Sequence, residues 1–159
     1  MRGLVYAALI LGILLIPVER NDVGKLCPIE VISIYRNGNE FTIETDTGDK
    51  GKGDTAEKAL QNLKETTAGI VYIDTAEYLL VRAEDKALIR QMIPYMKESV
   101  KVYAMKGRLD PAEAAAFLEA HQTDTCLKEA ETGKEPPVLV RRAGKLQIEE
   151  NAQKDEKRA

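Results

Sequence analysis

The hydrophobic and polar residues of the chain follow different patterns in successive segments. Leu4–Val18 is a run of fifteen residues without a charge. Ile29–Arg36 and Phe41–Thr47 then alternate between two faces, and Asn37-Gly38 stands between them. Such alternation around an Asn-Gly dipeptide predicts a β-hairpin. The glycine-rich segment Gly48–Gly53 that follows predicts irregular structure.

Three later segments have helical periodicity. The first predicted helix begins at Asp54 as its N-cap, with Glu57 completing a capping box, and it ends near Gly69. The second is predicted over Glu84–Met96, where Pro94 ends or kinks it. The third begins at Asp110-Pro111-Ala112-Glu113, with a cap, a first-turn proline and a glutamate at the box position, and runs to about His121.

The remaining apolar segments predict strands, and together they define the expected fold. The chain after Thr125 is expected to be loop-like as far as the last hairpin. The predicted element order, β-β-α-β-β-α-β-α and then β-β, indicates a mixed α+β domain: a hairpin-led sheet with about three helices, preceded by one N-terminal hydrophobic helix. The further predicted strands are Ile70–Ile73, Tyr78–Arg82, Val100–Met105, and a hairpin of Val138–Arg142 and Lys145–Glu149 around Ala143-Gly144.

The apolar N-terminal run predicts contact with a membrane. Arg2 precedes the run, which is the order of a signal sequence and places the following residues outside the cytoplasmic membrane. A helix of this length reaches ~22 Å, against a bilayer core of ~30 Å. Ile16-Pro17-Val18 offers no small pair for cleavage, which favours an uncleaved anchor over a cleaved, secreted form. The expected organisation is 1–18 signal-anchor or signal peptide, 19–28 linker, 29–149 single domain and 150–159 charged flexible tail.

Composition narrows the classes of function. Acidic residues outnumber basic residues by 26 to 23, giving a net charge of −3, and this provides no cationic surplus for a nucleic-acid backbone. The single histidine, His121, excludes a conventional metal centre or catalytic triad built on imidazoles. Cys27 and Cys126 are compatible with one disulfide in an extracytoplasmic setting or with two unpaired thiols, and the sequence leaves both open.

Candidate chemical motifs near the first hairpin are incomplete. Asp46-Thr47-Gly48 is the tripeptide of aspartic proteases, but Asp and Gly at the end of a hairpin favour a turn instead, and the predicted helices do not fit that all-β fold. Asp54 stands where a phosphate-binding loop needs lysine. A calcium loop beginning at Asp46 would lack two oxygen ligands. The sequence therefore predicts no catalytic, cofactor-binding or metal-binding residue, and a hydrolase using Asp46 or Asp49 stays a minor alternative.

One arrangement of elements resembles a known family. Gly51-x-Gly53-x-Thr55 opens a helix after a hairpin, and Asp110-x-x-Glu113-Ala114-Ala115 opens a later helix after a strand pair, a helix and a strand. Over about residues 29–120 this order resembles the N-terminal domain of Ger(x)C-type spore germinant receptor C subunits. The resemblance implies an extracytoplasmic, membrane-tethered assembly module without catalytic residues. The family's lipobox is missing before Cys27, where Gly24-Lys25-Leu26 stands.

These observations predict a non-enzymatic, membrane-anchored extracytoplasmic module for protein interaction or assembly, in an envelope or spore setting. The expected partners are the membrane, through the N-terminal segment, and envelope proteins, with no nucleic acid, cofactor or metal. A secreted module that binds a small ligand is the main alternative.

Overall fold

A computed structural model describes residues 26–121, 123 and 125–149 of the chain. The predicted signal-anchor at 1–18, most of the linker and the tail at 150–159 lie outside the described residues. Within the described part, no helix is both long enough and apolar enough to cross a membrane.

The described residues form a mixed α+β fold, as the sequence predicts. The strands are β1 (Leu26–Pro28), β2 (Val31–Asn37), β3 (Glu40–Thr45), β4 (Lys50–Gly53), β5 (Ile70–Tyr72), β6 (Tyr78–Arg82), β7 (Lys101–Met105), β8 (Val138–Arg142) and β9 (Lys145–Glu149). The α-helices are α1 (Ala56–Thr66), α2 (Leu88–Met92), α3 (Pro111–Ala120) and α4 (Leu127–Glu131).

The main sheet has seven strands in the order β4-β3-β2-β6-β7-β8-β9. Its four inner strands β2, β6, β7 and β8 are parallel, and antiparallel hairpin partners flank them on both sides. A separate two-stranded parallel sheet joins β1 to β5. Since β1 begins at Leu26, regular structure is already present three residues before the predicted boundary at Ile29.

The sheet is buried on both faces, which explains the strand patterns. Ile32 and Ile34 of β2 lie in a core cluster that contains the buried residues of α1, α2 and α4. Val31 and Tyr35 of the same strand lie in a second cluster, with Leu118 of α3. Because successive side chains on a strand point to opposite faces, a strand that is apolar on both faces must be central.

Strand β4 corrects the expectation of irregular structure at Gly48–Gly53. Its glycines allow α1 to lie directly against the strand: a Cβ atom at Gly51 would come within 2.6 Å of the Leu63 Cβ atom. The Lys52 backbone N–H donates to Asn62 Oδ1 of α1 at 2.9 Å, and α1 donates to the Lys50 carbonyl through its Thr66 hydroxyl at 3.3 Å. The helix therefore also satisfies backbone groups on the outer edge of β4.

The start of α1 lies one residue later than predicted. Thr55, not Asp54, is the N-cap, and its Oγ1 atom accepts a hydrogen bond from the Lys58 backbone N–H at 3.2 Å. The Asp54 carboxylate instead pairs with the Lys58 ammonium at 2.6 Å on the surface. The start of α3 is confirmed, because Asp110 Oδ1 accepts from the Ala112 backbone N–H at 3.0 Å.

The second and last helices differ from expectation. The predicted helix over Glu84–Met96 contains only α2 as α-helix, flanked by 3-10 turns at Ala83–Asp85 and Ile93–Tyr95. Pro94 accounts for the end of α2, because it has no N–H to continue the ladder. The stretch after Thr125 contains α4, whose first turn is closed by Glu129 Oε2 accepting from the Cys126 backbone N–H at 3.1 Å.

Both predicted hairpins are confirmed, and their turns follow the backbone chemistry. In the first hairpin Asn37 pairs with Glu40, so Gly38-Asn39 occupies the turn, one residue beyond the predicted Asn37-Gly38. Gly38 has φ +61°, as the first position of a type II′ turn requires. The second turn is Ala143-Gly144, with φ values of +49° and +78°.

Candidate functional site

A cluster of charged side chains lies on the α3 face of the main sheet. Glu44 of β3 stands diagonally across from Tyr35 of β2 and directly across from Lys50 of β4. Arg82, the last residue of β6, and Arg108, three residues after β7, come from the carboxyl ends of the neighbouring parallel strands. We call these five residues the Glu44 cluster. Its position fits the general rule that open α/β sheets place functional groups near the carboxyl ends of their parallel strands.

Glu44 is the centre of the cluster. Glu44 is only 4% exposed, and its carboxylate accepts hydrogen bonds from the Tyr35 hydroxyl at 2.8 Å and from the Arg108 guanidinium at 2.5 Å. The Lys50 ammonium lies 3.1 Å from the same carboxylate oxygen. A carboxylate buried to this extent needs such partners to offset its lost hydration. Lys50 and Arg108, the two cations that pair with Glu44, exceed this single carboxylate by one positive charge.

The contacts within the cluster set the protonation states. Burial alone would raise the pKa of Glu44, but the hydrogen bonds from Tyr35, Lys50 and Arg108 outweigh it and hold that pKa below its ordinary value. Burial, together with the hydrogen bond to Glu44, raises the pKa of Tyr35 to about 12. At neutral pH Glu44 is therefore an anion that only accepts hydrogen bonds, and the Tyr35 hydroxyl is a donor.

Two guanidinium groups also lie near the Tyr35 ring. The Cζ atoms of Arg82 and Arg108 are 5.1 Å and 5.9 Å from the ring centroid, which is within the range of cation–π attraction. The Arg108 side chain nevertheless stays 60% exposed. Arg108 is thus held in place by a buried carboxylate and an aromatic ring while much of it faces solvent.

A groove of about 560 Å³ extends from the Glu44 cluster past the start of α3. An ion pair between Arg141 of β8 and Glu113 of α3 forms part of its lining. The groove combines cationic and anionic side chains in equal number, so it favours ligands that carry charged groups over apolar small molecules. The charged lining residues are Glu44, Lys50, Arg108, Asp110, Glu113 and Arg141.

The two acidic residues considered for hydrolysis have structural partners. Asp46 Oδ1 accepts from the backbone N–H groups of Glu30 and Val31 at 3.1 and 3.2 Å, which fastens the end of β3 to the start of β2. Asp49 Oδ2 accepts from the Thr47 hydroxyl at 2.8 Å inside the same turn. Both carboxylates therefore stabilise the loop, as the turn interpretation of Asp46-Thr47-Gly48 predicts.

The other chemistry-bearing residues have local roles. The His121 ring stacks on Phe117 with 4.2 Å between centroids, and its Nδ1 atom lies 2.9 Å from the Phe117 carbonyl oxygen. Cys27 and Cys126 are not joined by a disulfide. Among the residues that the structure describes, no three His, Cys, Asp or Glu side chains are grouped to hold a metal ion.

Sequence reasoning did not single out the Glu44 cluster. The available signal was the apolar character of Ile29–Arg36 on both faces, which implies that the neighbouring strand, and Glu44 with it, is also covered. A covered glutamate needs cations, but Arg108 reaches Glu44, and Arg82 reaches the Tyr35 ring, only through the order of the strands in the sheet. No family model, curated protein or solved structure matches the chain, so the resemblance to spore germinant receptor subunits stays a prediction.

Proposed function

We propose that the chain is a membrane-anchored extracytoplasmic module that binds another protein of the cell envelope, and that it is not an enzyme. The anchor is the apolar run Leu4–Val18, which carries no charge and follows Arg2. The resemblance to Ger(x)C-type subunits supports the same class of protein and an envelope or spore setting.

The observation that carries the binding role is the arrangement of Arg108. Its side chain is 60% exposed, yet it is fixed by a 2.5 Å contact to Glu44, a buried carboxylate. Arginine is enriched among the residues that dominate protein interfaces. An arginine that is already held in one conformation loses less side-chain entropy when a partner binds.

The charges around Arg108 indicate the type of partner. Lys50 lies on one side of it in the groove, and the ion pair of Arg141 with Glu113 also lines the groove. Exposed ion pairs of this kind are worth about 1 kcal/mol or less and exchange readily for a partner's charges. We therefore propose a protein surface with both acidic and basic side chains as the partner, with an acidic group placed against Arg108.

Site-directed photo-crosslinking in native membranes tests the binding role. A crosslinking residue at Glu113, in the groove, should form a discrete adduct, whereas one at Gln61 on the exposed side of α1 should not. Arg108→Ala should remove most of the Glu113 adduct. Arg90→Ala, which changes an exposed arginine of α2 instead, is the matched control and should leave the adduct intact.

Equal adducts with Arg108→Ala and with wild type would refute the role of the groove. The anchor is tested separately: a variant that lacks residues 1–18 should be released as a soluble protein that unfolds cooperatively. If that variant precipitates or melts without a cooperative transition, the run is part of the core and the membrane topology is wrong.

A further inference from the structure

The large apolar side chains that the described residues expose lie together on one small surface. Leu26, Ile70 and Tyr72 are 37%, 43% and 47% exposed, and all three belong to the two-stranded sheet of β1 and β5. The register pairs Leu26 with Ile70 and Pro28 with Tyr72, so these four side chains share one face of that sheet. We call this surface the apolar ribbon face. Val71, on the opposite face, is buried in the core beneath α1.

The apolar ribbon face lies at the amino ends of the inner strands. β1 leads into β2 after two residues, and β5 leads into β6 through a 3-10 turn at Ile73–Thr75. The Glu44 cluster lies on the other face of the main sheet, because Tyr35 belongs to the α3 core and Val71 to the α1 core. The ribbon face and the charged groove therefore do not compete for one partner.

The chain itself limits how far this surface can be from a membrane. Val18, the last residue of the apolar run, precedes Leu26 by eight positions. An extended chain spans at most about 3.6 Å per residue, so the tether is no longer than about 29 Å. If the run is inserted, Leu26 lies within that distance of the end of the inserted segment. Such a tether makes the encounter of the domain with lipid intramolecular, so a weak affinity is sufficient.

We propose that the apolar ribbon face rests on the interfacial region of the bilayer that holds the N-terminal run; this inference depends on the proposed anchor. Tyrosine is enriched at the level of the lipid headgroups, where its ring is covered and its hydroxyl stays hydrated. Leu26 and Ile70 bury their side chains beside it. The domain is thereby held in one orientation, with β1 and β5 against the lipid.

The charges beside Tyr72 indicate how the contact responds to lipid composition. A depression next to Tyr72 is lined by two bases, Lys97 and Lys101, and by two acids, Asp74 and Glu77. Since these charges balance, the contact is apolar in origin. It is therefore expected to form on zwitterionic lipid and to persist in high salt.

Tryptophan fluorescence of the full chain in phosphatidylcholine vesicles tests the inference. The chain contains no tryptophan, so Tyr72→Trp supplies a single emitting group. We expect a blue-shifted emission that loses most of its intensity when the lipids carry bromine near the headgroup end of their acyl chains. Lys145→Trp, beside the β8–β9 turn at the carboxyl end of β8, is the control and should emit as in water and remain unquenched.

A second variant separates lipid contact from an altered fold. Ile70→Asp, added to Tyr72→Trp, places a charge at an exposed position and should abolish the quenching while the circular dichroism spectrum stays that of wild type. Quenching that survives this change would overturn the inference. Quenching that requires anionic lipid would also overturn it, because the lysines and not the apolar side chains would then make the contact.

Vesicle flotation separates failure of the anchor from failure of the inference. If the full chain does not float with the vesicles, the proposed anchor is wrong and the inference falls with it. If the chain floats but the Tyr72→Trp variant emits as in water, the anchor stands and only the inference is overturned. A blue-shifted emission without quenching would also overturn it, because protein would then cover the surface, either a second copy or the chain's own N-terminal run.

Discussion

Replacing Gly51 by alanine should destabilise the domain by about 2 kcal/mol. An alanine Cβ atom at this position would lie 2.6 Å from both the Cβ atom and the backbone nitrogen of Leu63, and closer still to the Ala59 carbonyl oxygen. Overpacking of this kind costs roughly 1–3 kcal/mol, and the upper end applies because backbone atoms cannot rotate away. The reduced freedom of the unfolded chain returns about 0.4–1 kcal/mol. The net loss of about 2 kcal/mol is a large fraction of the ~5–15 kcal/mol that is typical for the free energy of unfolding of a domain.

Urea unfolding of the full chain in mild detergent, followed by circular dichroism, measures this loss. The midpoint should fall by roughly 1–2 M with an unchanged slope. Lys52→Ala, at the exposed position between Gly51 and Gly53, is the control and should change stability by no more than about 1 kcal/mol. Ala59→Gly should not rescue Gly51→Ala, because the obstructing atom of Ala59 is its backbone oxygen. A Gly51→Ala variant as stable as wild type would refute the close packing of α1 on β4.

Three further substitutions test the electrostatics and one turn. Glu44→Gln should lower the free energy of unfolding by about 2 kcal/mol at pH 7. Because the pKa of Glu44 is lowered in the folded state, its stabilisation is present above the ordinary glutamate pKa and disappears as the pH falls through the folded-state pKa. Urea titrations should therefore show the difference in stability between wild type and Glu44→Gln narrowing in acid, and a constant difference would contradict this. Burial raises the pKa of Tyr103 to about 12, so between pH ~10 and 12 this group alone lowers stability by about 1.4 kcal/mol per pH unit, and Tyr35 adds to the loss in the same range. Tyr103→Phe removes only the first contribution and should show a shallower decline in alkaline unfolding. Ala143→Asn should raise the thermal midpoint and stabilise by about 1 kcal/mol, since asparagine tolerates the positive φ of this turn better; an unchanged midpoint would count against backbone strain there.

Local patterns in the sequence predicted those parts of the fold that depend on neighbouring residues. The alternation around Asn37-Gly38 and around Ala143-Gly144 indicated both hairpins, and Asp110-Pro111 indicated the start of α3. In each case the decisive contacts join residues only a few positions apart. Such contacts can be recognised from the sequence without the rest of the fold.

Features that depend on distant residues were missed. Gly51 and Gly53 indicated irregular structure, because their use becomes clear only when α1 packs on them. Periodicity predicts a strand at Ile70–Ile73 but not its partner, and β5 pairs with β1, more than forty residues earlier. The Glu44 cluster gathers Arg108 across 64 positions in sequence. Periodicity contains no information on such pairings.

The two outer strands of the main sheet, β4 and β9, differ in whether their outer edges are covered. The outer edge of β4 is covered, because Asn62 and Thr66 of α1 bond to its backbone. In the described part of the chain, no strand pairs with the outer edge of β9. A sheet with one closed edge can be lengthened from the other edge only. If two copies joined through β9, their main sheets would form one continuous sheet that ends at a helix-covered β4 strand on both sides, so this mode of pairing would stop at a dimer.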